Sequence, residues 1–121
     1  MTKEGQHFTV WKGNDYTPYV VVDLAGHSDL TLYLSDIFWA VSKKNKDEEP
    51  IIYKDKTDGG GIHILDKNLF SISLNKEDTQ DMAPGIYYHE ARLVDMYGNV
   101  SILMTGHMRL KGALLKIGEN K

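Results

Sequence analysis

Five histidines, a scatter of serines and a run of three glycines are the residues with the most chemical potential in this sequence. His7, His27, His63, His89 and His107 show neither HxH nor HxxxH spacing, so no local pair offers two imidazoles to one metal ion. His63 and His107 fall on the polar side of β-type alternation. His89 falls on the apolar side, where a hydrogen-bonded core histidine is the expected role. Nucleophilic catalysis would need a serine poised by a histidine and an acid. No GxSxG elbow is present, and nothing around Ser35, Ser71 or Ser101 marks an activated hydroxyl. Gly59-Gly60-Gly61 lacks the Lys-Ser/Thr and the following helix of a phosphate cradle, and reads as a turn between strands. Asp47, Glu48 and Glu49 lie in a charged loop, and Asp55 and Asp58 lack the ligand spacing of a calcium loop. The absence of cysteine excludes thiolate catalysis, disulfides and Cys-based metal sites. These residues predict a protein that is not an enzyme, with no cofactor and no bound metal.

The aromatic residues are the other candidates, because exposed rings stack on sugars or on partner proteins. Trp39 shares a strand face with Ile37 and Val41 and is expected at the centre of a core, as is Tyr87. Phe38 and Tyr88 sit opposite the inferred core faces of their strands. With Trp11 and Tyr97 they are the candidates for exposed or interface positions. Between the two uses of such rings, a protein contact is preferred to a sugar platform.

The elements that must position these residues have a period of two. Tyr87, His89, Ala91 and Leu93 alternate with Glu90 and Arg92. A second long run places Val100, Ile102, Met104, Met108 and Leu110 together, opposite Ser101, Thr105, His107 and Arg109. Asp95-Met96-Tyr97-Gly98-Asn99 joins the two runs as a hairpin turn. Upstream, strands are expected around Phe8 and Val10, within Thr17 to Leu24, from Asp36 to Lys43, from Ile51 to Lys54, around Ile62 and Ile64, and from Phe70 to Leu74. Pro18 places the start of the second of these at a strand start or a sheet edge. Ala25 to Ser28 reads as a turn and Lys43 to Pro50 as a solvated loop. Helical character is confined to Asn75–Met82, with Asn75 as the cap and Pro84-Gly85 as the stop. Seven to nine short strands with Gly/Asn/Asp punctuation predict an all-β, immunoglobulin-like antiparallel β-sandwich.

At 121 residues the chain is the size of one domain and long enough to bury about two thirds of its unfolded surface. One domain is expected over residues 1–121, with its core in 8–110 and a tail at 111–121. Lys plus Arg number 14 against 17 for Asp plus Glu, a net charge of −3 that argues against a nucleic-acid-gripping surface. No apolar run approaches the roughly 18 residues of a membrane helix. The polar N-terminal stretch has no apolar h-region, so no secretory signal is expected. The tail is apolar at Leu114, Leu115 and Ile117. It reads either as a strand extension on its own domain or as an arm that docks on a neighbouring subunit.

The order of the segments carries a resemblance. Gly13-Asn14-Asp15-Tyr16-Thr17 opens a strand rich in β-formers, followed by Leu34-Ser35-Asp36-Ile37-Phe38-Trp39-Ala40-Val41. Gly60-Gly61-Ile62-His63-Ile64 and Phe70-Ser71-Ile72-Ser73-Leu74 come next. Ala83 to Leu93 and Asp95 to Val100 complete the series. Over residues 8 to 110 this is similar to small immunoglobulin-like proteins encoded in the structural gene clusters of tailed bacteriophages. It resembles more loosely the N-terminal domain of phage baseplate upper proteins. His27 to Tyr33 departs from the pattern by replacing a shorter turn. The resemblance brings no catalytic residues. It implies a virion location and a non-enzymatic structural protein of the tail or baseplate. Such a protein would act by symmetric assembly with other virion proteins and as a homo-oligomer. The expected contact residues are Trp11, Phe38, Tyr88, Leu114, Leu115 and Ile117. A capsid decoration or head-fibre protein is the alternative location. A carbohydrate-binding module for a host-surface glycan is the alternative class.

Overall fold

The computed structural model describes residues 4–24, 30–43 and 49–112. Among the described residues eight strands follow one another: β1 (Phe8–Trp11), β2 (Tyr19–Val21), β3 (Asp36–Ser42), β4 (Ile52–Asp55), β5 (Ile62–Asp66), β6 (Leu69–Ile72), β7 (Gly85–Val94) and β8 (Val100–Lys111). A 3₁₀ turn, Leu32–Leu34, precedes β3, and one short helix, α1 (Lys76–Thr79), precedes β7. Asn75 caps that helix, and its backbone N–H donates to the Asp78 carboxylate at 2.8 Å. The expected turn at 25–28 and most of the 43–50 loop lie outside the described residues.

The strands form a five-stranded sheet in the order β1-β8-β7-β3-β4 and a three-stranded sheet in the order β2-β6-β5. The two sheets enclose one hydrophobic core, filled by alternate residues of each strand. Ile37, Trp39 and Val41 of β3 and Tyr87, Ala91 and Leu93 of β7 face Val20, Ile62, Phe70 and Ile72 of the smaller sheet, and all are buried. This arrangement is an immunoglobulin-like β-sandwich. The long β7–β8 hairpin sits in the middle of the larger sheet, and the smaller sheet lies across the core. A tyrosine corner adds to the likeness. Tyr87, near the start of β7, donates its hydroxyl to the Ala83 carbonyl four residues upstream. β2 begins directly after Pro18 and is an edge strand, where a residue without an N–H costs no ladder bond.

Two local expectations are corrected. β1 pairs with β8 in parallel, from Phe8 beside Met108 to Trp11 beside Lys111, so the larger sheet is not purely antiparallel. Val100 and Ile102 do not share a face with Met104. The β7–β8 register shifts between Ala91 and Arg92, where Met104 pairs with Ala91 but Ile102 pairs with Arg92. The extra residue, Leu103, forms a bulge and is itself buried, while Val100 is 60% exposed.

Candidate functional site

Two features of the larger sheet bear on function, one on its outer surface and one at its β1 edge. The outer surface follows from the strand register. Row by row it carries His107, Tyr88 and Ser42, then Thr105, Glu90, Ala40 and Tyr53, then Ile102, Arg92, Phe38 and Asp55. Ile86 extends it beside Arg109. Phe38 and Tyr53 approach with ring centroids 6.4 Å apart. Ile86 and Tyr53 are each about half exposed, at 51% and 55%, whereas Phe38 and Tyr88 are only partly exposed.

Glu90 lies at the centre of this face with its side chain largely covered. Its carboxylate accepts from the Tyr88 hydroxyl at 3.1 Å and from Arg92 Nε. Partial burial and the neighbouring Glu90 charge hold the Tyr88 hydroxyl above its usual pKa. Tyr53 is likewise raised, by burial first and then by Asp55. These groups form a neutralised polar centre within an aromatic surround. No three His, Asp or Glu side chains among the described residues converge as a metal site.

Of the expected contact residues, Phe38 and Tyr88 share this face. Trp11 is on the same side at the β1 edge, 47% exposed, with the Lys111 ammonium 5.3 Å from its ring centroid. Leu114, Leu115 and Ile117 lie outside the described residues. Tyr97 projects from the β7–β8 turn and is 70% exposed. Ile86 and Tyr53 are missing from the sequence expectation. Ile86 has the parity of Tyr88 in β7, which was the signal available for it. Tyr53 lies in a strand too short to show alternation. The outer side of the smaller sheet adds exposed Tyr19 and Val21 on β2, which are not adjacent to this face.

The β1 edge holds the histidines. His89, fully buried on β7, accepts at Nδ1 from the Trp39 indole N–H at 3.2 Å. An indole nitrogen only donates, so His89 carries its proton on Nε2, which donates to the Gln6 carbonyl. Phe8 stacks on the imidazole with centroids 4.5 Å apart. Burial holds the His89 pKa below its ordinary value. The Gln6 carbonyl opposes that shift, and His7 and His107 reinforce it. His7 and His107 stack at 5.3 Å, and the His107 backbone N–H donates to His7 Nδ1 at 3.0 Å. Sequence spacing gave no hint of these contacts, because His7 meets His107 and Gln6 meets His89 only through the β1–β8–β7 pairing. Gly106 permits the second: a Cβ there would lie 2.1 Å from the Gln6 carbonyl oxygen and 2.9 Å from His89 Nε2. His63 is exposed on β5, away from this edge.

No family model matches the chain, and no curated protein matches it. Among solved structures it is similar to CopC from Methylosinus trichosporium OB3b, with a TM-score of 0.44 and 10% identity over 91% of this chain and 88% of that one. It is also similar to murine CRIg, with a TM-score of 0.40 and 16% identity over 89% of this chain and 92% of that one.

Proposed function

We propose that this chain is a non-enzymatic structural protein of a tailed-bacteriophage particle, associated with the tail or baseplate, and that it works by protein–protein assembly. The observation that carries the assembly reading is the outer face of the β1-β8-β7-β3-β4 sheet. There Phe38 and Tyr53 approach each other and share one face with Tyr88 and Ile86, around the clasped Glu90–Arg92 pair. Aromatic residues and arginine are enriched at protein interfaces, and contiguous apolar surface on a folded domain marks a contact site. The virion location rests on the sequence resemblance over residues 8 to 110. The tail residues Leu114, Leu115 and Ile117 enter the proposal on sequence alone, as a docking arm.

Light scattering over a concentration series tests the assembly reading. A defined oligomer that reverts to monomer in the Tyr53→Ser/Ile86→Ser variant is the expected result. A monomer at every concentration that also fails to associate with purified tail or baseplate proteins of the same phage overturns it. Saturable binding to a glycan array by that monomer would then favour the carbohydrate-binding alternative.

A further inference from the structure

The contacts that hold the N-terminal segment on the larger sheet depend on histidine protonation. Gln6 to Trp11 runs along the β8 edge. Gln6 N donates to the Thr105 carbonyl at 2.9 Å, and Lys12 N donates to the Lys111 carbonyl at 2.8 Å. Between these anchors, the Gln6 carbonyl accepts from His89 Nε2, Phe8 lies flat on the His89 ring, and His7 Nδ1 accepts from the His107 N–H. His89 Nδ1 and His7 Nδ1 therefore both act as acceptors, which only the neutral ring allows. A proton added to His89 Nδ1 would confront the Trp39 indole N–H, donor against donor.

We propose that the segment Gln6–Trp11 is an acid-released latch, in which protonation of His89 lifts the segment from β8 and opens that sheet edge. The direction of release follows from what surrounds the ring. Trp39 is fully buried between the sheets and has no room to withdraw. The segment over the other side of His89 is bounded by exposed residues, Glu4 to His7, and its strand lies at the sheet edge. Lifting it gives a charged imidazole access to water at less than the cost of global unfolding.

The titratable groups whose charge reaches His89 are His7 from the N-terminal segment and His107, which points from β8 to the outer surface, and both disfavour a charge on it. β3 presents Trp39 and Val41, and β1 presents Phe8, none of which titrates. Lys54 of β4 pairs with Trp39 in the register and is already bound to Asp78 at 2.8 Å.

The linkage has a definite sign. A released His89 titrates near the ordinary value of about 6.5, and the latched one lies below it. The latched state therefore binds fewer protons. It is fully favoured above about pH 6.5 and loses ground as the pH falls, by up to about tenfold per pH unit for each proton taken up.

Hydrogen exchange on the full chain, corrected for intrinsic exchange rates, tests this at the Gln6 and Lys12 amides. Their opening equilibrium should rise about fivefold between pH 6.5 and pH 5.5, while amides in the β3–β7 pair stay protected. His89→Gln replaces the ring by an amide that can donate to Gln6 and accept from Trp39 without titrating, and it should flatten the response. Loss of protection in β3 and β7 together with Gln6 overturns the proposal, as does a pH-independent Gln6 amide or an unchanged response in His89→Gln. Should that variant fail to fold, the ¹⁵N shifts of the native His89 ring decide. A ring that titrates with the opening of Gln6 upholds the latch, and one that stays neutral through the opening overturns it.

Discussion

The indole Nε1 of Trp39 donates to Nδ1 of His89 at 3.2 Å, joining β3 to β7 inside the core. In antibody-type domains the residue two positions after the corner tyrosine is a half-cystine packed against a buried tryptophan on the neighbouring strand. Here Tyr87 is the corner and His89 occupies that following position, in a chain without cysteine. The Trp39–His89 bond joins neighbouring strands of one sheet, whereas that half-cystine bridges the two sheets, so no covalent link ties the sheets together here. A disulfide constrains the unfolded chain and this bond does not, so the stability of the core rests on packing and on satisfying both imidazole nitrogens.

Trp39→Phe removes the indole donor to His89 Nδ1 and leaves a void beside it. The expected cost is about 2–4 kcal/mol, combining an unsatisfied buried acceptor with lost packing. Urea denaturation of the two proteins measures it. A loss under about 0.5 kcal/mol would mean that the bond contributes little.

Gly106→Ala introduces a Cβ against backbone atoms of Gln6, which cannot rotate away as a side-chain end would. The N-terminal segment must shift, at an expected cost of about 1–3 kcal/mol. Loss of amide protection at Gln6 with β3 and β7 retained is the signature, and an unaltered Gln6 amide would refute the close approach.

Lys56→Met tests a different anchor. The Lys56 ammonium donates to the carbonyls of Leu32, Tyr33 and Ser35, so one charge satisfies the 3₁₀ turn that leads into β3. Charged hydrogen bonds of this kind are worth about 1.5–3 kcal/mol each when shielded. Partial exposure of this group lowers the expected total to about 1–3 kcal/mol. Lys56→Arg should restore little, because a planar guanidinium does not match three carbonyls converging on one nitrogen. Thermal melts of the three proteins give the comparison.

Tyr87→Phe keeps the buried ring and deletes the hydroxyl bonded to the Ala83 carbonyl. A loss of about 0.5–1.5 kcal/mol is expected, with no change in the outer sheet face. Denaturant titration checks the first, and unchanged association by light scattering checks the second.

Much of this fold is legible in alternation alone. Ile37, Trp39 and Val41, and Tyr87, Ala91 and Leu93, are apolar at every second position, and a half-buried strand has no other way to satisfy them. The Asp95–Asn99 turn is equally plain. The Asp95 carboxylate accepts from the Tyr97 and Asn99 backbone N–H groups, and Gly98 takes the positive φ of 85° that closes the turn. The Leu103 bulge was not legible. Ile102, Leu103 and Met104 are three consecutive apolar residues, and a one-residue slip leaves no trace where both parities are apolar.

The sequence by itself determined the class of fold, the core strands and the interior position of His89, because burial imposes a period that side-chain types reveal. Only the tertiary structure decided which strands are neighbours. That pairing set β1 parallel to β8, His7 against His107 and Gln6 against His89. It also gathered Phe38, Tyr53, Tyr88 and Ile86 onto one face. The physical reason is that alternation states which side of a strand is buried but carries no information about what lies beside it. Adjacency between residues 83 or 100 positions apart comes from sheet pairing, and the chain expresses that only when folded.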